Sequence, residues 1–208
     1  MKNNEIEKAI IHLSKKDKVL RKIIKNSSPC NLTTNTKYFN ALVEMIISQQ
    51  LSITSARAIH KKFMLHFHNN PKPAEILSTD DITLRSFGLS TTKIKYIKGL
   101  SLAVHEKRLR FNKINQMSND EIIEKLTSIK GIGIWTAHMF LIFVLRRLDV
   151  LPYSDFGIRK SIMLNFDTKN LPVRTDVEKI ATKNNWHPYE SVASWYLWKS
   201  LEIGRAHV

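Results

Sequence analysis

Ser128-Ile129-Lys130-Gly131-Ile132-Gly133-Ile134-Trp135-Thr136-Ala137 is the stretch whose reading decides the fold. Two glycines one residue apart separate apolar-periodic segments, which predicts a helix, a tight hairpin and a second helix starting near Ile134. The first glycine can take a positive φ, and neither carries a Cβ that would hold a ligand away. The amides and dipole at the start of the second helix point toward whatever docks there, an arrangement that suits a phosphate. Taken alone, Gly-x-Gly is weak evidence for a phosphate and more often only ends one helix and begins another. The sequence has no Gly-x-x-x-x-Gly-Lys-Ser/Thr, and no strand-like run precedes the glycines, so no nucleotide-binding turn competes.

Outward from the hairpin, the pattern stays helical. Ser118-Asn119-Asp120-Glu121 reads as a capping box opening the preceding helix, with Ile122, Ile123, Leu126 and Ile129 inward. Residues 135–147 are apolar nearly all round and predict a central helix. Asp155 opens a helix to Phe166, Thr175-Asp176-Val177-Glu178 reads as a second capping box, and Pro188 starts an aromatic-rich last helix. Toward the amino end, Ser90 caps a helix with Ile94, Ile97, Leu100 and Val104 inward. Its Lys93, Lys95 and Lys98 form a mostly solvated face, Lys93 being the best placed for a phosphate. A short helix over 80–86 is closed by Gly88, and Pro71 and Pro73 open another. Residues 38–48 form a core helix, and Ser48-Gln49-Gln50-Leu51-Ser52 breaks it from the next, which carries Ile53, Ala56, Ile59, Phe63 and Phe67. Residues 5–16 and 18–24 are basic and amphipathic. No alternating strand pattern occurs, and an all-α fold follows.

The 208 residues suffice for one domain or two small lobes, and a net charge of +15 points to a polyanionic partner, nucleic acid first. The single cysteine, Cys30, excludes an internal disulfide and a four-cysteine metal or iron–sulfur site. A reducing cytosol fits that usage. No apolar run has the length of a membrane span, and none near the amino terminus has that of a signal peptide. His66 and His68 could be read as a metal pair, but residues two apart on a helix diverge. Residues 203–208, Ile-Gly-Arg-Ala-His-Val, resemble a translated sequencing adapter and are set aside as a non-native tail.

Asp155 sits in Asp155-Phe156-Gly157-Ile158-Arg159-Lys160, where a helix amino terminus favours its ionised form. In isolation a plain N-cap is the better account of it. Together with the hairpin and with Ile47-Ser48-Gln49-Gln50-Leu51-Ser52, it resembles the helix–hairpin–helix DNA glycosylases, nearest to DNA-3-methyladenine glycosylase II. Gly88-Leu89-Ser90-x-x-Lys93 and Trp186-His187-Pro188-Tyr189-Glu190-Ser191-Val192-Ala193 extend the resemblance over residues 38–201.

The resemblance implies a single glycosylase domain over 1–208, made of two helical lobes with the active-site cleft between them. It implies Asp155 as catalytic carboxylate, Trp135, Tyr189 and Met139 at the base, and Leu51 as the wedge replacing an extruded base. Gln50, Ser52, Lys93, Lys130, Gly131, Ile132 and Gly133 would contact DNA. The carbonyls of Thr127, Ile129 and Gly131 would hold a sodium or potassium ion, with no cofactor required. The expected partner is double-stranded DNA with a damaged base, bound by a monomer in the cytoplasm, at a nucleoid, or in a eukaryotic nucleus. An alkylated purine such as 3-methyladenine is cationic and leaves readily, so one carboxylate suffices to stabilise the developing sugar cation. An electron-rich aromatic slot favours such a base.

Absences define the branch. Trp135 stands where lyase relatives carry a Schiff-base lysine, which predicts a monofunctional enzyme. Two residues depart from the family: Met139 replaces a frequent aromatic, and Lys130 a common hairpin proline. The extra amino-terminal β domain of some members has no room. Trp186, Trp195 and Trp198 are read as core packing. The alternatives are a DNA-binding protein with the hairpin and no chemistry, or the same fold acting on uracil, hypoxanthine or oxidised guanine.

Overall fold

A computed structural model describes residues 3–205, and among the described residues there are helices and no strands. In chain order these are α1 (Asn3–Lys16), α2 (Lys18–Lys25), α3 (Tyr38–Ser48), α4 (Ile53–His66), α5 (Pro73–Ser78) and α6 (Asp81–Ser86). There follow α7 (Thr91–His105), a 3-10 turn at Ile114–Gln116, α8 (Asn119–Thr127), α9 (Ile134–Phe143), α10 (Phe156–Asn165), α11 (Arg174–Lys183) and α12 (Glu190–Arg205). The all-α expectation holds. Residues 203–205 of the adapter-like tail continue α12, and 206–208 lie outside the described residues.

The chain forms two compact units. Residues 35–140 make a continuous one, and the described residues up to Thr34 together with those from Leu141 onward make the other. The continuous unit is punctuated by side-chain caps. Ser52, Asp80, Ser90 and Ser118 each accept the amide three residues on, at the starts of α4, α6, α7 and α8. Each cap contributes about 1 kcal/mol. Its core gathers Leu42, Val43, Ile46 and Ile47 of α3, Phe63 of α4, Ile94, Ile97 and Leu100 of α7, and Leu126 of α8, all buried. α7 packs on α3, α5 and α6.

In the discontinuous unit α12 packs on α1, α2 and α10. Asp17 joins both ends of the chain: its Oδ1 accepts from the amides of Val19 (2.7 Å) and Leu20 (3.0 Å), capping α2, and its Oδ2 accepts from Trp186 Nε1 (2.8 Å). Trp186 is fully buried, so the core assignment for that indole holds.

Several local expectations are corrected. Ile53 is exposed, because the first turn of α4 has not yet reached the core. In α7, Ser101 and Ala103 are buried where Val104 is only half-buried, and Lys98 pairs with Asp81 at 2.6 Å. α11 starts earlier than Thr175: Val173 is its N-cap, and the Asp176 carboxylate turns back to accept the Val173 amide at 3.1 Å. Pro188 lies in the turn before α12, which begins at Glu190. The central helix ends at Phe143, four residues short, with Arg146 in the left-handed region at φ 56°. No helix among the described residues is long and apolar enough to cross a membrane.

Candidate functional site

α8 is opened by a reciprocal capping box: Ser118 Oγ accepts the Glu121 amide (3.2 Å) and Glu121 Oε2 accepts the Ser118 amide (2.7 Å). The chain then turns through Ser128–Gly133 and enters α9. Ile129 and Ile132 are buried and seat the hairpin, and the Ile132 amide donates to the Ile129 carbonyl at 3.0 Å. Lys130 is exposed at the tip. Gly131 has φ +98° and lies against the Tyr96 ring, where a Cβ would overlap it. Nothing lies within 4 Å of a Cβ built on Gly133, so that glycine leaves an open approach to the start of α9. The two glycines thus do different work: one permits the turn, the other clears the surface.

The loop between α3 and α4 stands beside this hairpin in the same unit. Gln50 is left-handed at φ 55°, Leu51 is 39% exposed, and Ser52 accepts the Ser55 amide at 3.2 Å. Loop, α7 amino terminus and hairpin enclose a hollow of about 650 Å³, lined among others by Gln50, Ser90, Lys93, Gly131 and Gly133. Lys93 is not a simple solvated lysine. Its ammonium donates to the Ile47 carbonyl at 2.6 Å, and burial pulls its pKa below the ordinary lysine value. Of the residues expected at DNA, Gln50, Lys93, Gly131, Ile132 and Gly133 line this hollow, and Leu51, Ser52 and Lys130 do not.

Asp155, in the other unit, is the N-cap of α10 and only 9% exposed. Its Oδ1 accepts two hydrogen bonds, from the Ile158 amide (2.8 Å) and from Trp198 Nε1 (2.9 Å). Trp198, read from sequence as core, is instead a donor to the carboxylate, stacked at a tilt on Phe143 with ring centroids 5.5 Å apart. It lies on α12, 43 residues along the chain from Asp155, and no periodic signal marks so distant a partner. Gly157 makes the arrangement possible, since a Cβ there would stand 3.0 Å from Asp155 Oδ1 and 3.1 Å from Trp198 Cδ1.

The residues expected at the base differ in exposure. Trp135, in the first turn of α9, is 42% exposed, whereas Met139 is buried. Tyr189 is half-buried, with its ring edge-on to His12 at 5.2 Å. For a hairpin cation, the carbonyls of Ile129 and Gly131 already accept the Ile132 amide and the Gln49 side-chain amide (2.9 Å). A carbonyl oxygen has a second lone pair, so the donor set still fits a hard monovalent ion. Among the described residues no group of three or more His, Cys, Asp or Glu could hold a metal, and His66 packs its ring on Phe67 and Phe87.

Residues 43–185 match the HhH-GPD superfamily of base excision DNA repair proteins. The alkylbase DNA glycosidase-like protein mag2 of Schizosaccharomyces pombe is 31% identical over 98% of this chain and 98% of its own. DNA-3-methyladenine glycosylase 1 of the same yeast is 34% identical over 95% of this chain and 89% of its own. The solved S. pombe 3-methyladenine DNA glycosylase in complex with abasic DNA superposes with a TM-score of 0.81 at 35% identity, covering 94% of this chain and 97% of that one. A DNA-3-methyladenine glycosidase structure from Bacillus halodurans gives 0.82 at 34% identity, over 95% and 91%.

Proposed function

We propose, from the premise that this chain belongs to the HhH-GPD superfamily of base excision DNA repair proteins and within it to the 3-methyladenine glycosylases, that it excises alkylated purines from duplex DNA. The observation that carries the chemistry is Asp155, capped into α10 with Oδ1 fixed by the Ile158 amide and the Trp198 indole. A carboxylate so held is pre-oriented, and it needs no reorganisation as positive charge develops on a sugar.

The hairpin supports a phosphate grip, because Gly133 leaves the amino end of α9 open. Leu51, exposed at the tip of its loop, is the apolar wedge, and flipping the target costs a few kcal/mol that the wedge and backbone contacts offset. Trp135, Met139 and Tyr189 are assigned to the extruded base, and Gln50, Ser52, Lys93 and Lys130 to the DNA around it. A monovalent cation on the carbonyls of Thr127, Ile129 and Gly131 would add positive charge beside the phosphate. In the reaction, the C1′–N bond breaks with its electron pair going to the cationic base, which leaves neutral. Asp155 stabilises the sugar cation, water adds at C1′, and its proton passes to the carboxylate or to solvent. Trp135 offers no amine for a Schiff base, so an intact abasic strand is the product.

The test is release from a panel of single-lesion duplexes carrying 3-methyladenine, 7-methylguanine, hypoxanthine, uracil or oxidised guanine. Release of the methylated purines, abolished by Asp155→Asn with duplex affinity retained, is expected. Strand cleavage before alkali would refute the monofunctional assignment, and release unaffected by Asp155→Asn would refute the carboxylate's role.

A further inference from the structure

Gln49 lies outside the set of residues expected at DNA, yet it ties the hairpin to the loop that carries Leu51. As α3 ends, Gln49 turns to φ −53° and ψ 129°, and its side-chain amide donates to the Gly131 carbonyl at 2.9 Å across 82 residues of chain. The Gly131 carbonyl and the Ile132 N–H belong to one peptide plane. That plane is gripped at both edges: Ile132 N–H donates to the Ile129 carbonyl at 3.0 Å, and the oxygen receives Gln49. Behind the loop, Lys93 Nζ holds the Ile47 carbonyl at 2.6 Å. The loop's own backbone is weakly braced, by a 3.3 Å bond from the Leu51 amide to the Ser48 carbonyl and a left-handed Gln50. The position of Leu51 accordingly depends on its anchor at Gln49.

We propose that Gln49 is a positioning residue whose hydrogen bond to the Gly131 carbonyl couples the hairpin's grip on a backbone phosphate to insertion of Leu51 into the duplex. This rests on the assignments of hairpin and wedge made above. A phosphate settling on the amides of Gly131 and Gly133 bears on the Gly131–Ile132 peptide plane between them, whose own N–H is taken by the Ile129 carbonyl, and Gln49 passes that load to the loop. Without the donor, grip and wedge both persist but act independently.

Gln49→Met keeps length and volume and deletes the donor. The full chain is titrated onto a duplex holding a tetrahydrofuran abasic analogue flanked by 2-aminopurine, whose fluorescence reports insertion without any chemistry. Anisotropy on undamaged duplex reports the grip, and single-turnover excision reports the reaction. The expected result is unchanged affinity for undamaged duplex with insertion signal and excision rate each down about fivefold, the range of one neutral hydrogen bond. Leu51→Ala lowers both as well, and the double variant is no worse than Leu51→Ala alone, because Gln49 acts through Leu51. Parental signal in Gln49→Met, losses that multiply in the double variant, or affinity falling in step with the signal would each overturn the coupling. A Gln49-dependent signal in a protein that excises nothing upholds the coupling and sinks the glycosylase reading. A parent with no Leu51-dependent signal overturns the coupling whatever it excises.

Discussion

Trp198 Nε1 donates to Asp155 Oδ1 at 2.9 Å, onto the same oxygen that the Ile158 amide reaches at 2.8 Å. An indole N–H is a donor with a single direction, so the carboxylate cannot turn without stranding it. Trp198→Phe keeps a smaller ring near Phe143 and removes the N–H together with part of the bicycle. Single-turnover excision should fall about tenfold, with a stability loss of about 1 kcal/mol. A parental excision rate would show that the indole donor does not hold the reactive geometry.

The two hairpin glycines should separate folding from binding. Gly131→Ala sets a Cβ into the Tyr96 ring at φ +98°, and a loss of about 2–4 kcal/mol is expected in urea unfolding. Gly133→Ala meets no protein atom within 4 Å, so its melting curve should barely shift while duplex affinity falls. Equal stability in the two variants would contradict this division.

Lys93 and Lys130 should differ in kind. The Lys93 ammonium is committed to the Ile47 carbonyl, so Lys93→Met should cost about 1 kcal/mol of stability. Its folded pKa is depressed by burial. The stability linked to that titration is fully present above the unfolded lysine value and lost as pH falls through the depressed one. The wild type should therefore gain on Lys93→Met as pH rises through that alkaline window, in parallel urea titrations. Lys130 is exposed at the hairpin tip, so Lys130→Ala should leave stability alone and reduce the salt slope of duplex binding by about one unit.

Asp17 carries no chemistry, yet its removal should be severe. Asp17→Ala uncaps α2 and strands the buried Trp186 N–H, losses summing to about 3 kcal/mol. The urea midpoint should drop, while excision at low temperature stays at the parental rate. A rate loss without a stability loss would place Asp17 in the reaction.

What was legible from sequence follows from how local each signal is. Helix starts at Ser90 and Ser118 are written in residues one turn apart, and the hairpin in two glycines, so both can be read directly. Asp155 was legible as an N-cap for the same reason. The Trp198–Asp155 bond spans 43 residues and the Gln49–Gly131 bond 82, and no periodicity encodes a side chain meeting a distant partner. Sequence therefore reads Trp198 as packing and gives Gln49 no contact. The pattern puts the second capping box at Thr175, because the N-cap Val173 has no polar side chain and only the returning Asp176 marks the start.

The discontinuous unit sets an order of events during synthesis. Residues 35–140 leave the ribosome as one uninterrupted piece and can collapse at once, whereas α1 and α2 must wait for α12, their packing partner, to be translated. Until Trp186 arrives, Asp17 has no indole to receive, and the newborn amino-terminal helices present bare apolar faces to chaperones. An expression host that slows elongation beyond residue 141 would lengthen that exposure and lower the soluble yield.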